Sequence, residues 1–399
     1  MSDTPWLTIV GLGEDGPDGL PPASRKALER AEIVMGAARH LSLLPEVAAK
    51  AVEWPVPFAD GIPLLLSHRG RRVVMLSSGD PFWHGAGGAL ARHLDPSEWR
   101  CLPAPSALSL AAAALGWPLE QVVTMALHAA PFARMRPHLH PGTRALVTLR
   151  DGDAARELAH WLTSEGFGAT TLHLCEALGG PRERLRHTAA EDFAVSDIHH
   201  PVIAGLEVAG GGTPVPLASG RPDALFEHDG QITKRPVRAL TLSALAPLPG
   251  EHLWDIGGGS GSVAIEWLWS HPTTAATVIE KDPARAERIR TNAARLGADR
   301  LHLVTGAAPA ALAGLDRPDA VFIGGGLSNA LLEALWAQIP EGTRLVANAV
   351  TLEGEALLSR WQTIAGGDLL RIALSQAKPL GTKRGWGAAY PIVQWDVTR

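Results

Sequence analysis

The stretch HLWDIGGGSGSVAIEWLW, beginning at His252, sets Asp255, Gly257, Gly258, Gly259, Ser260 and Gly261 between an apolar run and an amphipathic one. Glycine lets a strand-to-helix turn adopt positive φ and brings backbone close to a ligand. The following helix then aims its unpaired N–H groups at an anionic or polar group. A triphosphate loop is disfavoured, because no Gly-Lys-Ser/Thr closes the turn. The dinucleotide fingerprint G-x-G-x-x-A is met by Gly259, Gly261 and Ala264. Asp255, just ahead of the first glycine, would repel a pyrophosphate and attract a cationic amino-acid group. Glu280, closing the next apolar run, suits the hydroxyls of a ribose. Ribose recognition fits a nicotinamide dinucleotide and S-adenosylmethionine alike; Asp255 favours the second.

The first half carries weaker signals of the same kind. TIVGLGEDG runs a strand into Gly11 and Gly13, and LSSGDPFWHG ends another at Gly79, Asp80 and Pro81. PAPSALSLAAAALG starts a helix at Ser106, a residue suited to an N-cap.

These turns need elements to hold them, and strand-like and helix-like segments alternate along the chain, favouring α/β architecture with largely parallel sheets. WLTIVGLG reads as strand and PPASRKALERAEIVMGAARHLSLL (21–44) as helical. Strands RRVVMLSSGD, WRCLPAP, TRALVTLR, ATTLHLCEAL and HPVIAGLEV follow, with helices between them. AGGGTPVPLASGRPD is rich in Gly and Pro without apolar period and marks the interdomain boundary. We therefore expect domains at 1–209 and 225–399 joined by a linker at 210–224. KRPVRALTLSALAP is a helix leading into the glycine turn. From EALLSRWQTIAG onward the pattern gives one helix and two closing strands, LLRIALSQAK and AAYPIVQWDV.

Composition narrows the function classes. A chain of 399 residues, 46% hydrophobic and 19% charged, is a folded globular protein with room for two cores. A net charge of −5 argues against nucleic acid or an anionic membrane as partner. Cys101 and Cys175 show no CxxC or Cys/His spacing, so neither a disulfide scaffold nor a metal site is expected. No secretory segment is visible, and ALSLAAAALGW is too short to span a bilayer. A cytoplasmic homo-oligomer is the expected setting.

With these residues in view, the second half resembles a known family. LWDIGGGSGSVAIEW, VIEKDPARAERIRTNAARLG, PDAVFIGGG and the lead-in FEHDGQITKRPVRALTLSAL are similar to the decarboxylating precorrin methyltransferases of cobalamin biosynthesis. The resemblance implies a Rossmann-like class I methyltransferase domain. In it, Thr233, the turn Gly257–Gly261, Glu280 and the Gly306–Ala307 pair contact S-adenosylmethionine. Ala307 departs from the acidic residue usual in that family, which leaves backbone contacts only at this point.

The first-half loops, in this order, resemble the tetrapyrrole methylase family. That likeness implies two α/β lobes holding S-adenosylmethionine in the cleft between them. Gly11 and Gly13 would shape the turn facing the macrocycle, Gly79, Asp80 and Pro81 the cofactor loop, and Ser106 would lie beside the cofactor. PVIAGLEV corresponds to the strand flanking the adenine, and Glu14 stands where the family often has Pro. The two domains in one chain resemble the bifunctional precorrin methyltransferases. This implies two S-adenosylmethionine sites per chain: C5 methylation in the first domain, C15 methylation and loss of the ring C acetate carboxyl in the second, giving precorrin-8X. Methyl transfer from a sulfonium needs alignment more than a strong base, so no catalytic residue is named. The small-molecule precorrin carries carboxylates, for which Lys234, Arg235, Arg238, Lys383 and Arg384 are the candidate cations. Arg182, Arg184 and Arg186 read as a solvated loop, and Trp386 as ordinary packing. The competing function is an NAD(P)-dependent oxidoreductase built on the second half.

Overall fold

The computed structural model describes residues 5–44 and 48–399. It divides into two compact units, Met1–Phe132 with His138–Thr213, and Ala133–Pro137 with Pro214–Arg399.

The first unit holds two five-stranded sheets. One is wholly parallel: β1 (Leu7–Leu12), β2 (Ile33–Gly36), β3 (Lys50–Glu53), β4 (Val73–Ser78) and β5 (Trp99–Leu102), in the order β3-β2-β4-β1-β5. Every residue of β1 is buried, as expected of a central parallel strand covered on both faces. Its alternate side chains feed two cores, Leu7 and Ile9 on one face, Val10 and Leu12 on the other. The second sheet comprises β6 (Val123–Ala126), β7 (Arg144–Leu149), β8 (Thr171–Glu176), β9 (Arg184–Ala189) and β10 (Val202–Glu207). Its order is β6-β7-β10-β8-β9, antiparallel except for β6 against β7.

The second unit has one seven-stranded sheet, built from β11 (His252–Ile256), β12 (Ala275–Glu280), β13 (Leu301–Thr305), β14 (Ala320–Ile323), β15 (Arg344–Ala349) and β16 (Asp368–Ile372). A hairpin, β17 (Ser375–Leu380) and β18 (Lys383–Ala388), precedes the last strand, β19 (Ile392–Thr398). The order is β13-β12-β11-β14-β15-β19-β16, with β11 to β15 parallel and β19 antiparallel to both its neighbours. Helices cover both faces, over cores centred on Trp267 and on Trp395. Among the described residues no helix is long and apolar enough to cross a membrane.

Three expectations are corrected. The single helix expected over 21–44 is two helices, Pro22–Arg30 and Ala38–Ser42, with buried β2 between them. Its run IVMG is too short for periodicity to separate strand from helix. The expected arginine loop is β9, where Arg184 and Arg186 grip the fully buried Glu176 at 2.7 and 2.8 Å. LLRIALSQAK breaks into β16 and β17, and the segment before β19 adds β18. Within the stretch expected as a linker, 210–224, Gly212 N–H donates to Gly166 O at 2.8 Å and Val215 packs into the second unit's core.

Candidate functional site

In the second unit the glycine turn leaves β11 at the carboxyl edge of the parallel strands, where α/β sheets open a crevice. Gly257, Gly259 and Gly261 all take positive φ, +75°, +58° and +75°. A Cβ on Gly257 would stand 2.6 Å from the backbone of Gly325, so two glycine loops close on each other. Gly257 N–H donates to Ile279 O at 2.8 Å and Gly324 N–H to Ile256 O at 2.9 Å, which locks the turn to both neighbouring strands. The segment before the helix Arg235–Leu245 approaches the same turn, with Gln231 O 3.3 Å from where a Gly259 Cβ would lie.

Asp255 is buried. One carboxylate oxygen accepts from Ala264 N–H at 3.2 Å and the other has no partner. Burial pushes its pKa up to about 7, with neighbouring Glu280 adding to the shift. Both Glu280 oxygens accept backbone N–H bonds at 2.9 Å, from Gly259 and Asp282. Gly306 N–H donates to Glu280 O at 2.9 Å, so the Gly306–Ala307 segment adjoins that strand end. Ser260 is buried, its hydroxyl without a partner and its carbonyl accepting from Asn292 Nδ2 at 2.9 Å. Thr233 precedes the helix and its carbonyl accepts from Arg238.

Arg238 corrects an expectation. It has no exposed surface, and its guanidinium binds Glu266 at 2.7 Å, Asp223 at 3.0 Å and the carbonyls of Thr233 and Arg221. With its donors held inside the unit, it has none to offer a substrate. It braces the lead-in segment instead. Lys234, Arg235, Lys383 and Arg384 are exposed, the last two on β18 beside an exposed Trp386. Trp386 was read as packing; its exposure corrects that.

In the first unit three loops converge. A Cβ on Gly11 would overlap Gly79 O and come within 2.5 Å of Ala104 N. Gly79 has φ +49°, and a Cβ there would meet Pro105 O at 2.8 Å. Ser106 caps the helix Ala107–Leu115, its hydroxyl accepting from Ser109 N–H at 3.0 Å. Asp80 accepts from Phe82 N–H at 2.9 Å, and buried Pro81 accepts from Gly87 N–H at 2.8 Å. Gly13 sits in the turn beside Asp15.

Beside these loops opens a cavity of about 450 Å³ whose wall includes Asp80 and Ser106. Its polar wall also includes Arg39, His40, Ser78, His84, His128, Arg150 and His200, to which the sequence does not point. Burial pushes the His40 imidazole down to about 4, with the Arg39 charge lowering it further, so it is neutral at neutral pH. Arg39 and His40 follow β2, the strand hidden in the supposed helix; recognising IVMG as a buried strand was the signal that would have exposed them.

Comparison with known proteins follows this geometry. The family described as Tetrapyrrole (Corrin/Porphyrin) Methylases matches residues 6–194, and the Precorrin methyltransferase domain matches 224–399. A curated relative from Sinorhizobium sp, Precorrin-6Y C(5,15)-methyltransferase [decarboxylating], is 48% identical over 99% of this chain and 97% of its own. The chain belongs to the precorrin-6Y C(5,15)-methyltransferase family. Two Salmonella typhimurium relatives each match less than half of it. Cobalt-precorrin-6B C(15)-methyltransferase (decarboxylating) is 34% identical over 38% of this chain and 80% of its own. Cobalt-precorrin-7 C(5)-methyltransferase is 26% identical over 45% and 88%. Membership of the precorrin-6Y C(5,15)-methyltransferase family overturns the oxidoreductase alternative, since these relatives are methyltransferases.

Proposed function

We propose that this chain methylates a precorrin at C5 and C15 and removes the ring C acetate carboxyl, yielding precorrin-8X in cobalamin biosynthesis. The observation that carries it is the 48% identity running along 99% of the chain to a decarboxylating precorrin-6Y C(5,15)-methyltransferase. Methyltransferases of this family use S-adenosylmethionine. We assign one donor site to each unit, with C5 methylation at 1–209 and C15 methylation with decarboxylation at 225–399, the two joined through 210–224. Separate C5 and C15 enzymes among the relatives support that division.

The residues suit such a donor. In the second unit the unpartnered oxygen of Asp255 offers an acceptor for a cationic amino group, and the glycine turn gives the close backbone approach. Glu280 keeps acceptor capacity for ribose hydroxyls, while Thr233, Ser260, Gly306 and Ala307 contribute backbone. In the first unit Gly79, Asp80, Pro81 and Ser106 form the donor loop, with Gly11 packed against Gly79 and Gly11 and Gly13 shaping the turn that faces the macrocycle. When bound, the donor supplies a methyl already activated by a sulfonium charge. What remains for the protein is to hold the meso carbon in line and keep water out. Lys234, Arg235, Lys383 and Arg384 are available to side-chain carboxylates of the macrocycle. A cytoplasmic homo-oligomer completes the reading; exposed Leu380, Trp386 and Tyr390 near the hairpin support self-association, which sedimentation tests.

The deciding experiment incubates the whole chain with precorrin-6Y and isotopically labelled S-adenosylmethionine and weighs the product. Two labelled methyls gained and one CO2 lost is the expected result. NADH consumption without methyl gain would refute it.

A further inference from the structure

At one end of the first-unit cavity two arginines share a single acid. Arg39 binds one oxygen of Glu14, and Arg182 reaches the other at 3.3 Å. Glu14 is nearly buried, with 6% of its side chain exposed. Two guanidinium groups thus share one carboxylate. His40, being neutral, adds no charge of its own. Arg150, the other guanidinium on the wall, has its own acids, Asp151 at 2.9 Å and Glu157 at 3.3 Å. Asp80 also lines the cavity, with one oxygen accepting from the Phe82 amide, and it makes no ion pair with Arg39 among the described residues. Arg39 is also held in position by neutral groups: its Nη2 donates to Ser78 Oγ at 2.7 Å and to His40 Nε2 at 2.9 Å. Because a guanidinium only donates, His40 Nε2 is the acceptor there and Nδ1 carries the proton. Three of the five Arg39 N–H groups are so engaged. The Nε–H and one Nη1–H have no acceptor among the described residues.

We propose that Arg39 is the carboxylate anchor of the first-unit cavity and that Glu14 is its positioning residue. The proposal rests on the functional reading above, in which the cavity admits a polycarboxylate macrocycle. A guanidinium offering free, fixed donors beside an apolar wall that includes Trp54 and Phe58 matches a flat ring bearing acid side chains. Glu14 is shared with Arg182 and engages only one Arg39 N–H, which leaves donors on Arg39 for the ligand to meet. A carboxylate has two sources here, the macrocycle and the methionyl end of the methyl donor, and the test separates them.

The test measures C5 methyl transfer to the precorrin substrate and S-adenosylhomocysteine affinity for the whole chain, in wild type, Arg39→Ala, Arg39→Lys, Glu14→Gln and Glu14→Asp. For Arg39→Ala we expect KM for the macrocycle to rise roughly 10- to 100-fold with kcat and S-adenosylhomocysteine affinity nearly unchanged. Arg39→Lys restores part of the loss, keeping the charge without the fork. Glu14→Gln raises KM by a smaller factor, and Glu14→Asp rescues it, a split that general unfolding would not produce. Should Arg39→Ala fail to fold, Arg39→Lys and Glu14→Gln carry the test. A fall in S-adenosylhomocysteine affinity with macrocycle KM unchanged keeps Arg39 as a carboxylate anchor and makes the donor its source. If wild type methylates the precorrin and no Arg39 variant alters either quantity, the anchor is refuted. If wild type methylates no precorrin, the functional reading falls and the anchor with it.

Discussion

Replacing Asp255 with Asn removes a carboxyl group that the fold buries without a counter-charge. Its pKa stands at about 7 against an ordinary 3.8, because burial penalises the charged form and Glu280 lies nearby. A folded-state value above the unfolded one means that the folded chain holds a proton the unfolded chain releases. The cost of Asp255 is therefore absent below the unfolded value, grows as pH rises, and is complete above about 7. The separation between 3.8 and 7 caps that cost at about 4 kcal/mol. Asparagine keeps an acceptor for Ala264 N–H but places an N–H₂ where the unpartnered oxygen was, which returns about 1–3 kcal/mol. The net expectation for the ligand-free chain at pH 8 is a gain of about 1–3 kcal/mol, or about 2–4 °C per kcal/mol in the transition of the second unit. The gain shrinks towards pH 5. Calorimetric melts of wild type and variant between pH 5 and 8 measure it. With S-adenosylhomocysteine added the ranking reverses, since the wild-type carboxylate then meets a cationic amino group. A variant less stable at pH 8 without ligand, or a wild type whose pH slope matches the variant's, would refute the reasoning.

Gly257→Ala should abolish ligand binding in the second unit, because a Cβ must fit 2.6 Å from the Gly325 backbone at φ +75°; titration should give one S-adenosylhomocysteine site per chain instead of two. Glu266→Gln leaves Arg221 and Arg238 buried with weaker compensation and should cost the second unit about 3–5 kcal/mol, read by urea unfolding. Cleavage within 209–216 should yield a second half that methylates once and releases CO2 and a first half that methylates once elsewhere. Inactivity of both halves would refute the division of labour.

The glycine turn at Gly257–Gly261 was legible because positive φ and close backbone approach leave few residue choices. The alternation of elements showed for a similar reason: central strands such as β1 are apolar but for one threonine, and long helices carry one apolar face. The misses came from elements whose pattern is set by tertiary contact. β2 is four buried residues between two short helices, and nothing local marks it as strand. β9 reads as charged loop because its arginines answer an acid, Glu176, on a neighbouring strand. Arg238 looked like an exposed cation on a helix, yet its partner Glu266 comes from a different helix, and no spacing rule links the two. The cavity wall was hidden for a compound reason: Arg39 lies in the short helix after β2, Ser78 at the end of β4 and Arg150 just past β7.

The position of β19 has a consequence for biosynthesis on the ribosome. This strand lies between β15 and β16, and its residues are made after both. Until 392–398 emerges, β15 and β16 each present an unpaired edge, and Trp395 is missing from its core. The nascent second unit must wait for its final strand, during which a chaperone or a neighbouring nascent chain has access to those edges. The first unit repeats the pattern, since its last strand, β10, lies between β7 and β8 and is made after both.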